Sequence, residues 1–334
     1  MTVSLQDIAL RAGVSTKTVS GALHGGSARM AVETRERIQK LADDMGYVTN
    51  LAARGTRQGW IPLVAIVADE LITTPFATEI LRGLDNAMQG KDMAVIATNL
   101  SAGRSIEQVH AEVRRFRPRA MAYAAMYHKV VALPPGLADG FAVMINCRDA
   151  DGRVPSLVPD DEGAAYDITR HLIARGRRRI AFINLPGLLA GELREAGFRR
   201  ALREAGLDDA GARVLPAVAR KTYSDRAHSL VADHVPMLLD GPDSPEAILA
   251  GNDRVAMEIY AALRRAGRDI PGDVAVASFD NQVDLATRLD PPLTTMALPH
   301  REMGRLAAER LLSDELNPPA VQKLAFRLVE RQSV

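Results

Sequence analysis

The sequence predicts an α/β protein in which a small head of three helices precedes a core of two doubly wound parallel sheets. Three observations predict it. Residues 5–24, LQDIALRAGVSTKTVSGALH, read as two short helices joined at a tight turn. From Leu63 onward, short apolar runs alternate with amphipathic segments. Near residues 158–161 that alternation divides into two sets, and a body of about 270 residues exceeds one comfortable α/β unit.

In the head, Ser4 is placed to cap a helix whose Leu5, Ile8, Ala9 and Ala12 share one face, with Asp7 in the first turn where the helix dipole favours an acid. Gly13 ends that helix, because glycine takes the positive φ of a tight exit without steric cost. Ser15 caps a second helix that turns Val14, Val19 and Leu23 inward and Thr16, Lys17, Ser20, Gly21 and His24 outward. A third helix carries Val32, Arg35, Ile38, Leu41 and Met45 at three- and four-residue spacing and stops at Gly46. Three such helices with a polar, basic second helix make a helix-turn-helix unit, whose second helix enters a DNA major groove. A plain three-helix core has the same amphipathic spacing, which alone does not separate the two.

After Tyr47 the chain runs VTNLAARGTRQGWIP, polar and small, with Gly55, Gly59 and Pro62. Residues 50–56 are long enough for one or two helical turns, too few to be stable alone because nucleation costs more than so few hydrogen bonds return. The boundaries expected are a head over 1–49, a hinge and linker over 50–61 and a core over 62–334.

The core opens with LVAIVA at 63–68, a helix near 76–90, MAVIATNL at 93–100 and a helix near 105–116. The alternation continues through AMAYAAM, FAVMINC, RRIAFIN, EAILAGN and DVAVASFD. Strands apolar along their whole length belong to parallel sheets covered on both faces, and two such lobes leave a cleft between strand ends where ligands bind.

The chain has 334 residues, 47% hydrophobic and 25% charged, an ordinary folded composition. Residues 1–59 hold eight basic and five acidic side chains, a net +3 that leaves −2 for the rest, so positive charge sits on the head. One cysteine, Cys147, cannot form an internal disulfide. No apolar segment approaches the roughly 20 residues that span a bilayer, and no secretion leader precedes the head, so a cytoplasmic protein without membrane contact is expected. The histidines lack metal-ligand spacing, no P-loop appears, and no nucleophile with an adjacent base can be assembled, so neither metal, cofactor nor enzymatic activity is expected. The run Arg175, Arg177, Arg178, Arg179 reads as a helix C-terminus and turn rather than a nucleic-acid patch.

At this level of detail the residues resemble the lactose-repressor (LacI/GalR) family of bacterial transcription regulators, over essentially the full length. The head carries DIALRAGVSTKTVSGALH and TRERIQKLADDMGY; the body carries VPDDEGAAYDITRHLIARGRRRIAFI, LREAGFRRAL, GNDRVAMEIYAAL, IPGDVAVASFDN and DPPLTTM, in the family's order. The resemblance implies a helix-turn-helix head, a hinge helix, and a homodimeric, periplasmic-binding-protein-like core. It also implies that the lobes exchange strands, with lobe 1 over about 62–158 and 284–320 and lobe 2 over about 159–283 and 321–334.

The resemblance places DNA contacts at Ser15, Thr16, Lys17, Thr18, Ser20, Gly21 and His24 of the head and at Asn50, Arg54, Thr56 and Arg57 of the hinge. Lysine donates to guanine O6 or N7, and threonine meets a thymine methyl or a base edge. Two positions depart from the family: Gly21 stands where arginine is usual, and Thr56 where a leucine commonly wedges into the minor groove. A small effector, a sugar or related metabolite, is implied between the lobes, held by Arg194, Asn252 and Asp280. Asn146, Arg148, Phe76 and Tyr223 are further candidates at matching positions. A dimer implies a pseudo-palindromic operator, because two heads meet two half-sites. The competing readings are a sugar-binding sensor whose head binds DNA only non-specifically, a sugar-modifying enzyme, and a transport component.

Overall fold

Ser4 opens the first helix by a reciprocal cap: its hydroxyl accepts from the Asp7 N–H at 3.3 Å while the Asp7 carboxylate accepts from the Ser4 N–H at 2.8 Å. The computed structural model describes residues 3–24, 30–48, 59–70, 78–100, 103–207, 213–224, 226–313 and 318–334, with the side chain of His24 outside that set. The chain divides into two compact units, Met1–Ile61 and Pro62–Val334.

In the first unit, α1 (Leu5–Ala12) ends at Gly13, whose φ of 68° is the left-handed exit that favours glycine. Helices α2 (Thr16–His24) and α3 (Val32–Asp44) follow. Ile8, Val19 and Ile38, one from each helix, are fully buried together, with Ala9, Ala22 and Ala42 filling between them. Val32, expected on the inner face, is instead 67% exposed. It precedes Ile38 by six residues, which at about 100° per residue sets it roughly 120° off the buried stripe.

In the second unit, β1 (Ile61–Asp69), α4 (Thr78–Met88), β2 (Ala94–Asn99), α5 (Ile106–Arg114), β3 (Pro118–Val131), β4 (Val143–Asp149) and β5 (Ser156–Pro159) alternate as expected. They are followed by α6 (Asp161–Ala174), β6 (Ile180–Asn184), α7 (Leu189–Glu204), β7 (Val214–Pro216), α8 (Val231–Leu239), β8 (Ala247–Ala250), α9 (Asp253–Arg265) and β9 (Ala275–Asp280). The chain closes with α10 (Val283–Ala286), β10 (Thr294–Ala297), α11 (His300–Leu312), β11 (Val321–Leu324) and β12 (Arg327–Val329).

Two six-stranded sheets result, in the orders β11-β5-β4-β3-β1-β2 and β12-β10-β9-β8-β6-β7. Each reverses its winding beside its first strand, between β1 and β3 and between β6 and β8, and crevices for ligands form at the carboxyl ends of strands at such points. Both faces of each sheet are covered, which is why the strands read as unbroken apolar runs. Val64 and Ile66 meet Ile80, Leu84, Met303 and Ala307 on one face of the first sheet, while Ala65 and Val67 meet Val109 and Val113 on the other. In the second sheet Ile183, Ile248 and Val276 meet Val235 and Ile259, and Phe182, Leu249 and Phe279 meet Ile168 and Phe198.

The lobes exchange chain, but later than expected. Strand β10 pairs in parallel with β9, so the second lobe extends past 284 to Ala297, and the chain returns to the first lobe only with α11. Strand β11 pairs in parallel with β5 of the first sheet, so the final crossing comes after Leu324 rather than at 321. Strand β12 then closes the second sheet as its one antiparallel pairing, with β10. The reason is pairing rather than pattern: β10 and β11 are four-residue strands, of which β10 joins the preceding strand β9 and β11 joins β5, far back in the sequence. Among the described residues no helix is long and apolar enough to cross a membrane.

Candidate functional site

On the head, the turn between α1 and α2 is fixed by Ser15, whose hydroxyl accepts from the Thr18 N–H at 3.1 Å and shares a 2.8 Å hydrogen bond with the Thr18 hydroxyl. These two candidate DNA contacts therefore also build the cap. Thr16 and Lys17 project from the first turn and are exposed, whereas Ser20 and Gly21 are half-buried on the same helix. The exposed candidates are thus Ser15, Thr16 and Lys17, at the amino end of the second helix. Asn50, Arg54, Thr56, Arg57, Phe76 and the side chain of His24 lie outside the described residues.

In the core, a pocket of about 580 Å³ counting its open mouth lies between the two sheets' strand ends. A register shift in β3 between Ala124 and Lys129 breaks its ladder with β4 and brings Met126, Tyr127 and His128 to the pocket wall. Asn146 of β4 holds that irregular turn: its amide donates to the carbonyls of Ala125 at 3.0 Å and Met126 at 2.8 Å. It does so with φ 57°, a left-handed conformation that asparagine tolerates better than most residues. Its Oδ1, buried in the pocket wall, has no hydrogen-bond partner among the described residues.

Arg194 enters from α7 and is buried. Nε donates to Asp161 Oδ1 at 2.7 Å, Nη1 donates to the Gly251 carbonyl at 2.6 Å, and the guanidinium lies 4.4 Å above the Phe279 ring. Burial pushes the Asp161 carboxyl up, but the Arg194 guanidinium and the His128 ring outweigh it and hold the group below the usual carboxylate range.

Asp280 ends β9 with φ 108°, and Asn281 follows at φ 53°, so strained backbone frames this side of the pocket. Burial pushes the Asp280 carboxyl up to about 8; Arg194 opposes that shift and Asp253 adds to it. Asp253 is itself pushed up to about 6, chiefly by burial, against hydrogen bonds from the Ser278 and Thr295 hydroxyls and the Gln282 N–H. The second lobe therefore offers a carboxyl that keeps its proton near neutrality beside a fixed cation.

Asn252 reaches the pocket while capping α9: its Oδ1 accepts from the Val255 N–H at 2.9 Å and its Nδ2 donates to the Tyr223 hydroxyl at 3.2 Å. Arg194, Asp280, Asn252 and Asn146 thus come together from four separate stretches of sequence. Tyr223 does not line this pocket; it stands behind Asn252 with its ring edge-on to Tyr127, centroids 6.3 Å apart. Arg148 lies further along β4, half-buried and outside the pocket. His128, Asp161, Arg254, Gln282 and His300 also line it and were not singled out from the sequence. For Asp161 the doubled acid of VPDDEG was a usable signal; for His128 there was none, because the bulge that delivers it is a property of strand pairing. Among the described residues no cluster of His, Cys, Asp and Glu is arranged to hold a metal ion.

Comparison with known proteins places both units. Residues 4–50 match the model of bacterial regulatory proteins of the lacI family, and residues 169–334 match a periplasmic binding protein-like domain. The chain is 35% identical over 314 residues to the sucrose operon repressor of Escherichia coli, covering 92% of this chain and 93% of the relative. It is 28% identical over 319 residues to the transcriptional repressor CytR of Escherichia coli strain K12, covering 92% and 89%. Among solved structures, a lacI-family regulator from Rhizobium etli is 33% identical, with TM-score 0.74 over 81% of this chain and 98% of that one. The lac repressor dimer bound to operator has TM-score 0.75 over 100% and 99%, and at 21% identity the likeness is one of fold.

Proposed function

Taking as premise that this chain belongs to the lacI family of bacterial regulatory proteins, which its identity to a sucrose operon repressor over nearly its whole length shows, we propose that it is a homodimeric repressor. In this reading it acts in the cytoplasm on a pseudo-palindromic operator and is controlled by a sugar or sugar derivative bound between its lobes. It is a transcriptional regulator of the repressor type, not an enzyme, with a periplasmic-binding-like core. The head over 1–49 reads the major groove with Thr16 and Lys17, the linker over 50–61 joins it to the core, and the core over 62–334 binds the effector and the second subunit.

The observation that carries effector control is Asn146. A buried polar atom without a partner is costly, and native folds rarely keep one without use for it. Its Oδ1 accepts a hydrogen bond from a ligand hydroxyl, Arg194 donates to ligand oxygens, and Asp280 completes the set, a mixture of donors and acceptors that suits a polyol. The class of ligand agrees with the sucrose in the name of the 35% identical repressor. Ligand binding acts on operator affinity only through its different affinities for the two lobe arrangements.

The test is selection of random duplex DNA by the purified protein, followed by competition with sucrose, cellobiose and their component monosaccharides against the selected site. Enrichment of a two-fold symmetric site, and a change in its occupancy with one of these sugars, is expected. A folded protein that enriches no sequence would overturn operator reading and favour a sensor that binds DNA through charge alone, the reading to which Gly21 lends weight. Gly21 leaves its own position on α2 without a side chain that could reach a guanine.

A further inference from the structure

His128 and Asp161 belong to different lobes: His128 lies in β3 of the first sheet, and Asp161 opens α6, which packs on α7 against the second. Nδ1 of His128 lies 2.7 Å from Oδ2 of Asp161, with side chains 5% and 0% exposed, so the contact is buried in the pocket wall. The other oxygen of the same carboxylate accepts from Arg194 at 2.7 Å. An ionised carboxylate only accepts, so the hydrogen of the His128 bond resides on Nδ1.

We propose that the His128–Asp161 bond is a latch that sets the angle between the two lobes of the core in the unliganded protein. Among the described residues three short crossings join the lobes, and crossings of that kind fix how near two bodies lie more tightly than their angle. Asp161 is two residues past the end of β5, at the first crossing, so a change of angle there moves its carboxylate relative to β3. A hydrogen bond tolerates little of that, since separation past about 3.5 Å abolishes it. Breaking it strands one oxygen of a buried carboxylate, a penalty that water relieves only after the lobes have parted.

Arg194 holds the second oxygen and is also the residue assigned to the effector, so a ligand that draws on Arg194 alters the carboxylate that ties the lobes. That coupling rests on the proposed effector site; the latch itself does not.

The latch is testable without ligand or DNA. Cys147 is fully buried and burial pushes its thiol well up, so spin labels attach selectively at Ala111→Cys in α5 and Ala261→Cys in α9, both exposed and one on each lobe. Labelled chains diluted into unlabelled ones restrict each measured pair to one subunit. His128→Leu is expected to lengthen the mean interlobe distance by roughly 2 Å or more and broaden its distribution. His128→Asn, which keeps an N–H donor near Nδ1, is expected to restore the original distribution. An unchanged distribution in a folded leucine variant overturns the latch. Should that variant not fold, nitrogen-15 spectra of histidine-labelled wild-type protein decide: a slowly exchanging Nδ1–H on His128 supports the latch, and a rapidly exchanging one removes it.

Discussion

Gly197 of α7 lies directly against the backbone carbonyl of Glu162 in α6, so close that a Cβ at 197 would overlap that oxygen and press on the amide of Tyr166. The obstacle is the backbone of a packed helix rather than the end of a mobile side chain, so the two helices have to separate to admit a methyl group. Gly197→Ala is therefore expected to cost about 1–3 kcal/mol, read as a lower urea midpoint at unchanged slope. An unchanged midpoint would mean that the pair shifts apart at no cost. The glycine of the LREAGF motif is thereby explained by helix packing, beside a motif arginine that faces the pocket.

That arginine is not a clean probe of effector binding. Arg194→Ala leaves Asp161 buried with His128 alone, and removing one partner of a buried ion pair costs about 3–5 kcal/mol. The expected outcome is a large drop in urea stability, partly recovered when Asp161→Asn is added, because the second change removes the stranded charge. A double variant no more stable than the single one would locate the loss in the packing of Arg194 on Phe279 instead.

What could be read from the sequence follows the range of the interaction responsible. Ser4, Gly13 and Ser15 were legible because caps act within three or four residues, and the strands from LVAIVA onward were legible because burial on both faces leaves an unbroken apolar run. The side chosen by β10 and β11 was not, since each is too short to carry a pattern, and the sheet of β11 is decided by a partner far back in the sequence. Arg194 and Asp280 were reached through family resemblance, and Arg148, two residues from Asn146 on one strand, was drawn in with them but lies outside the pocket. His128 owes its place to a bulge that no local residue choice announces.

Asp280 gives stability a pH dependence of definite sign. Its carboxyl is pushed up to about 8 in the folded chain, against an ordinary value of 3.8. Between those values the folded state keeps a proton that the unfolded state has lost, so this group's contribution to stability is full below about pH 4 and is lost as pH rises towards 8. Asp253, pushed up to about 6, adds a loss of the same sign over the lower part of that window. Asp280→Asn is expected to shrink the fall in melting temperature between about pH 6 and pH 8, above the range where Asp253 contributes most. Equal falls in wild type and variant would place the ionisation elsewhere.

The head offers the most direct test of sequence reading. Lys17 is exposed in the first turn of α2, a helix whose start is fixed by the Ser15 and Thr18 hydroxyls, so its ammonium is presented from a rigid base at the end that meets base edges in helix-turn-helix proteins. A contact to guanine O6 or N7 contributes about 1–3 kcal/mol of discrimination, whereas a phosphate contact contributes alike on every duplex. If Lys17 reads a base, Lys17→Ala weakens binding to the selected site by roughly tenfold to a hundredfold and to random duplex far less, and it relaxes preference at one position per half-site. If Lys17 meets only phosphate, both affinities fall together and the salt slope drops by about one. Gly21, one turn further along the same helix, has no side chain to compensate for that loss.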